Sequence, residues 1–209
     1  MLINLNFLSQ KYKFIPKGVI HCGAHMCEEK RDYDSLGIKN VIWIEGNPEI
    51  FESIKQLNEV KNDIVLNELL WENSDQELQF HITNNGQSSS ILQLEKHLQY
   101  HPEVHNIKTI TRKTKTLNSI FKENNFDINK YDFINLDLQG VELNVLKGFD
   151  EYLSHIKYIY TEVNTGEVYK NCSKMNEIDS YLKNYGFERV ETNVTRAEWG
   201  DAFYIKENI

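Results

Sequence analysis

The chain has 209 residues, 40% hydrophobic and 26% charged, with a formal charge of -8 and a pI near 5.4. That length suits one domain with a sizeable core, and the acidic balance argues against the basic face nucleic-acid binders carry. No apolar run approaches the ~20 residues of a membrane span, and Met1 to Leu8 lacks the basic start and small-residue cleavage pattern of a signal peptide, so a soluble cytoplasmic protein is expected, with no membrane partner.

Residues 1–17 read as an N-terminal helical extension, closed by Pro16, with Leu5 and Leu8 available to cap the body; residues 18–209 read as a single domain. A strand from Gly18 to Cys22 runs through Gly23-Ala24-His25-Met26-Cys27 into Glu28-Glu29-Lys30-Arg31, which favours a helix ending near Gly37. Glycine at 23 permits a tight turn and close approach of backbone to a bound molecule. The next apolar run, Val41 to Ile44, ends in Glu45, about 20 residues on, the separation at which an acidic strand tip binds ribose hydroxyls. The full G-x-G-x-x-G is absent, so an ordinary strand-turn-helix with a helix-entry glycine is the competing reading.

Asn47-Pro48-Glu49 opens a helix with asparagine as N-cap and proline in the first turn, and Asp63 to Leu69 fits a third strand. This β-α-β-α-β order implies a parallel sheet with helices on its faces. Glu77 to Ile82 alternates like a half-exposed strand and leads into the polar loop Asn84 to Ser90, either a plain connection or a source of hydrogen bonds at a site's mouth. His97, His101 and His105 lack the H-E-x-x-H pattern with its intervening glutamate, so no metal is expected on them. Val104 to Thr116, with Lys108, Arg112, Lys113 and Lys115, reads as a solvated edge strand.

Tyr131 to Leu136 is a buried strand ending in Asp137-Leu138-Gln139-Gly140, with a helix containing Glu142 behind it; a carboxylate at that end of a strand lies where open α/β sheets bind ligands. Ile156 to Val163 is another strand with Glu162 near its end, and Met175 to Tyr185 is a helix. Phe187 to Thr192 and Ala202 to Lys206 read as closing antiparallel strands joined by a loop holding Trp199-Gly200-Asp201. Cys22, Cys27 and Cys172 are odd in number and lack C-x-x-C spacing, so reduced thiols are expected, with neither a disulfide framework nor a zinc site.

Gly23-Ala24-His25, Ile44-Glu45-Gly46-Asn47-Pro48-Glu49, Ser88-Ser89-Ser90, Asp137-Leu138-Gln139-Gly140-Val141-Glu142, Leu146-Lys147-Gly148 and Trp199-Gly200-Asp201-Ala202, in that order, resemble the FkbM family of S-adenosylmethionine-dependent methyltransferases. The resemblance implies the class I methyltransferase (Rossmann-like) α/β fold: a seven-stranded, mostly parallel sheet with one antiparallel strand and helices on both faces. It implies S-adenosyl-L-methionine as cofactor and O-methylation of a carbohydrate or natural-product hydroxyl, a small-molecule or glycan acceptor.

By that resemblance Gly23 and Ala24 lie against the methionine part of the cofactor, and Glu45, beside Asn47, holds the ribose. Asn67, Glu68 and Leu69 fall at the adenine, Asp137 and Gln139 face the methyl, and Glu142 anchors their loop. His21 stands where the family usually has an acid, Cys27 where it has a second glycine, and His25 where asparagine is common. A neutral His21 is expected to accept from the cofactor's ammonium, with Glu28 or Glu29 as alternative sources of negative charge. Asp137 is the first candidate for the base, His25 or His81 the second; no clear further ligands accompany Asp137, so no metal is assigned. The competing functions are a catalytically silent cofactor binder or scaffold and a nicotinamide-dependent oxidoreductase, the latter weakened because Cys27 spoils a pyrophosphate turn.

Overall fold

The computed structural model describes residues 1–207. Helix α1 (Leu5–Tyr12), capped by Asn4, precedes β1 (Gly18–Cys22), α2 (Lys30–Ser35), β2 (Asn40–Ile44), α3 (Pro48–Ile54) and β3 (Ile64–Leu66). A smaller layer follows in β4 (Leu69–Leu70), β5 (Glu77–Thr83), α4 (His97–Tyr100) and β6 (Asn106–Lys115). The chain then returns through α5 (Leu117–Glu123), β7 (Phe133–Leu136), α6 (Glu142–Lys147), β8 (Tyr158–Asn164), α7 (Met175–Lys183), β9 (Phe187–Val194) and β10 (Trp199–Lys206).

The main sheet has the order β3-β2-β1-β7-β8-β10-β9. β10 is antiparallel to both its neighbours, and the other pairs are parallel, as the class I methyltransferase fold requires. Alternation along the strands divides the core. Ile20, Ile42, Ile134 and Ile159 face α5, α6 and α7, while Val19, Val41, Phe133 and Phe203 face Leu5 and Leu8 of α1, Tyr33 of α2 and Ile54 of α3. Strands covered on both faces read as unbroken apolar runs, which is why they were visible in the sequence. The strand order reverses between β1 and β7, and a crevice opens there at the carboxyl ends of the strands. Among the described residues no helix is long and apolar enough to cross a membrane.

Three expectations are corrected. The strand expected over Asp63 to Leu69 breaks at Asn67 and Glu68, with β3 joining the main sheet and β4 the small one. The basic strand is not an edge: β6 is the middle of the small sheet, parallel to β4 and antiparallel to β5. Trp199-Gly200-Asp201 is not a loop but the start of β10, where glycine is needed: a Cβ on Gly200 would lie 2.0 Å from the Asn193 carbonyl oxygen of β9.

Candidate active site

The turn after β1 is wound tightly. Gly23 and Ala24 donate to the Ile44 carbonyl at 2.9 and 3.0 Å, and Cys27 to that of Ala24 at 2.8 Å. Gly23 has φ +85°, and a Cβ on it would lie 1.8 Å from the Asp137 carbonyl, so glycine is required by the passing β7 tip. His25 (φ 42°) and Cys27 (φ 57°) are both left-handed without being glycine. Cys27 thus holds a left-handed backbone conformation that glycine adopts freely, and such local strain concentrates at functional sites. These windings delay α2 until Lys30.

Glu45, at the end of β2, is 7% exposed and fixed by two main-chain donors. Its Oε2 accepts from His25 N at 2.8 Å and its Oε1 from Asn47 N at 2.6 Å. Burial raises its pKa, and those two donors oppose the rise. The His25 ring turns to Glu28 instead, Nδ1 to Oε1 at 2.6 Å, which raises the imidazole pKa.

His21 is 2% exposed, and burial lowers its pKa, so its ring is neutral near pH 7. The hydrogen-bond network assigns its tautomer. Asn135 donates to the Tyr33 oxygen at 2.9 Å, and the Tyr33 O–H donates to His21 Nδ1, also at 2.9 Å. Nε2 therefore carries the proton and points toward Glu29, 3.9 Å away. The expected role of His21 as acceptor for an ammonium is corrected: its acceptor nitrogen is used by Tyr33. Carboxylates of Glu29, Asp137 and Asp201 gather beside it instead.

At the β7 tip, Glu142 Oε1 accepts from Leu138 N at 2.9 Å and Gly140 N at 3.0 Å, and so shapes the Asp137–Gly140 loop. Gln139 is left-handed (φ 58°), and its carbonyl is held by Ser90 Oγ at 2.9 Å. Its Nε2 donates to Asp137 Oδ1 at 2.6 Å and Glu162 Oε2 at 2.9 Å, while Tyr169 O–H donates to its Oε1. Asp137 is hemmed in by protein yet open to water through the crevice; burial and the Asp201 charge push its pKa up to about 6.

These groups line one cavity of about 510 Å³. His21, Gly23, Ala24, His25, Glu28, Glu45, Glu68, Leu69, Asp137 and Gln139 all face it, and Gly46, Leu69 and Phe80 make an apolar corner. Asn47 and Asn67 do not line it. Asn47 caps α3, accepting from Glu49 N at 3.0 Å, and Asn67 donates to the Glu45 carbonyl at 2.7 Å, so both act as supports. His81 is also outside it, hydrogen-bonded to Thr109 at 3.1 Å. Sequence reasoning missed Glu162, Asp201 and Tyr169 as site residues, although Glu162 was visible as an acid near a strand end. Asp201 was obscured because β10 runs antiparallel, which brings its beginning to the edge where parallel strands end.

No lysine or arginine side chain lines the cavity among the described residues, whereas Glu28, Glu29, Glu45, Glu68, Asp137, Glu162 and Asp201 do. No group of three or more His, Cys, Asp or Glu among the described residues is arranged to hold a metal ion. A family model described as the methyltransferase FkbM domain matches residues 21–189. No curated protein matches the sequence. The fold is similar to that of an uncharacterized protein from Listeria monocytogenes serotype 4b (TM-score 0.51, 8% identity, covering 97% of this chain and 68% of that one). It is also similar to a protein of the NADB-Rossmann superfamily from Streptococcus agalactiae (0.51, 12%, 95% and 66%), so this chain spans about two thirds of the length of these two. The methyltransferase domain of a bacterial Hen1 is similar over 96% of this chain and 95% of its own (0.50, 9%).

Proposed function

Since this chain belongs to the FkbM methyltransferase family and is therefore a methyltransferase, we propose that it moves the methyl group of S-adenosylmethionine to a hydroxyl oxygen of a neutral carbohydrate or natural-product acceptor. The observation that carries this reading is that Glu45 and Asp137, on strands either side of β1, open into the same cavity.

The residues fit the cofactor's groups. The Glu45 carboxylate suits a ribose diol, the Gly46-Leu69-Phe80 corner a flat base, and Glu29 and Asp201 an ammonium, which leaves Asp137 for the acceptor. When bound, the cofactor supplies a methyl group on a positively charged sulfur. The chain's own part is alignment and proton acceptance. Asp137 sits at the cavity wall with its carboxylate turned by Gln139, placed to take the proton of an acceptor hydroxyl, and a base near the working pH is the effective one. The left-handed Cys27 preserves the turn, which favours an active enzyme over a silent binder. A pyrophosphate, as a nicotinamide cofactor carries, would meet an acidic lining with no lysine or arginine side chain among the described residues. The same lining favours acceptors without phosphate.

Incubation with methyl-labelled S-adenosylmethionine and a panel of neutral glycans tests the proposal. Label is expected in a product that survives mild alkali, as an ether does. Release of the label as methanol would indicate an ester and overturn the hydroxyl assignment.

A further inference from the structure

We propose that Asp137 and Glu162 form a carboxyl pair held by the Gln139 amide, in which Glu162 keeps a proton while Asp137 stays ionised as the base, with Tyr169 as the positioning residue that orients the amide. The use of the pair in methyl transfer rests on the reading above; the pair itself rests on the geometry.

Gln139 Nε2 is 2.6 Å from Asp137 Oδ1 and 2.9 Å from Glu162 Oε2, so the two oxygens are no farther apart than these bonds laid end to end. Two carboxylates sharing one site do not both ionise freely, and their surroundings decide which keeps the proton. Glu162 lies within β8, 5% exposed, in register with Asp201 of β10, whereas Asp137 stands at the end of β7 and is open to the cavity. Burial, then the charges of Asp137, Glu142 and Asp201, raise the Glu162 pKa well above the carboxyl range. Asp201 already accepts from Tyr160 O–H and Leu2 N, and Glu29 and the Met1 ammonium also face Asp137. The neutral His21 adds no charge.

The two ends of an amide differ little in shape, so hydrogen-bond partners fix which end faces which way. Tyr169 is fully buried, and burial followed by the nearby carboxylates raises its pKa well above the ordinary range, so its phenol keeps its proton, and it donates that proton to Oε1. Nε2 is left for the two carboxyl groups. Phenylalanine at 169 removes the mark, and a flipped amide would turn an oxygen toward the pair and favour an additional proton on it. During transfer the acceptor proton passes to Asp137 as the acceptor oxygen bonds to the methyl carbon, and the electron pair of the broken carbon–sulfur bond stays on sulfur. Glu162 changes no bond; by staying protonated it keeps a second negative charge away from the base.

The test is a carbon-13 NMR titration of the side-chain carboxyls of the ligand-free chain, assigned by the resonances lost in Asp137→Asn and Glu162→Gln. Glu162 should titrate above Asp137. Asp137→Asn should lower the Glu162 midpoint by about one to three pH units, the effect of removing a like charge. Tyr169→Phe should raise the pair's midpoints with the fold intact. An unmoved Glu162 midpoint in Asp137→Asn overturns the pair. Unmoved midpoints in Tyr169→Phe, accompanied by a lower melting temperature, would reduce Tyr169 to a brace and overturn its positioning role; that variant also tests the proposal if Asp137→Asn fails to fold. Because no ligand is added, a negative result beside intact S-adenosylhomocysteine binding sinks the pair and leaves the methyltransferase reading standing.

Discussion

Arg112 grips Asn67 at two points, its guanidinium donating to the side-chain oxygen at 2.9 Å and to the main-chain carbonyl at 3.1 Å. It also donates to the Gly46 carbonyl at 2.6 Å. A residue from the middle of the small sheet thereby sets the spacing of the β2 and β3 tips, from which Glu45, Glu68 and Leu69 enter the cavity.

Arg112→Met keeps the stem and removes every one of these donors. It should cost about 1 kcal/mol of stability or somewhat more, the usual effect of losing hydrogen bonds to half-buried acceptors. S-adenosylhomocysteine affinity should fall as well, although Arg112 does not line the cavity. Melting and calorimetry on the same variant check this; unchanged affinity in a folded variant would remove Arg112 from the support of the site.

Glu142 is fully buried, and its Oε2 has no partner. Burial pushes its pKa up to about 7, and Asp137 stands at about 6. Unfolded carboxyls titrate near about 4, so between there and neutrality the folded chain holds protons that the unfolded chain has released. The stability these groups contribute is present at low pH and lost as pH rises through about 6 and 7. His21 works in the opposite sense, since burial lowers its pKa and the unfolded chain protonates first below about 6.5. His81 and His97, lowered chiefly by burial, act with His21, but the raised carboxyls outnumber these three, with Glu45, Glu68 and Glu162 raised too, and His25, raised by Glu28, adds to their side. Melting temperature should therefore fall between about pH 5.5 and 8. Glu142→Gln should raise it at the upper end and change little at the lower; calorimetric melts across that range would contradict this account if the variant were less stable than wild type at the upper end.

Asp137→Asn should leave S-adenosylhomocysteine affinity nearly intact and lower turnover by roughly 10²–10⁴-fold, the usual share of a general base. Single-turnover transfer at saturating cofactor reads this once an acceptor is found. A wild-type rate would pass the role of base to His25, which also lines the cavity.

Within the β1 turn, two substitutions should part company. Gly23→Ala drives a Cβ into the Asp137 carbonyl and should prevent folding or displace the β7 tip. Cys27→Gly relieves a left-handed side chain, worth roughly 1–2 kcal/mol, while losing the packing of a buried thiol, so its melting temperature should lie close to wild type. Soluble yield and thermal melts of both variants check the contrast.

The sheet was legible because its central strands are buried on both faces and its turns carry Gly23, Gly37, Asn47-Pro48 and Gly140. What escaped the sequence was set by partners distant in the chain. The break at Asn67 depends on Arg112 and Glu45; the chemistry of His21 depends on Tyr33, which takes its acceptor nitrogen. Asp201 reached the site through strand direction, and Tyr169 through a loop with no periodicity to read. The poles Glu45 and Asp137 were visible because strand ends can be counted; the groups that tune them were not, because tuning is a matter of contact.

The central claim is that the cavity between Glu45 and Asp137 is a cofactor site, and calorimetric titration with S-adenosylhomocysteine tests it most directly. Wild type should bind one equivalent, and Glu45→Ala should bind more weakly by about 1.5–3 kcal/mol, the range for hydrogen bonds to a charged group. No binding heat from the folded wild-type chain, or an affinity unchanged in folded Glu45→Ala, would contradict the account.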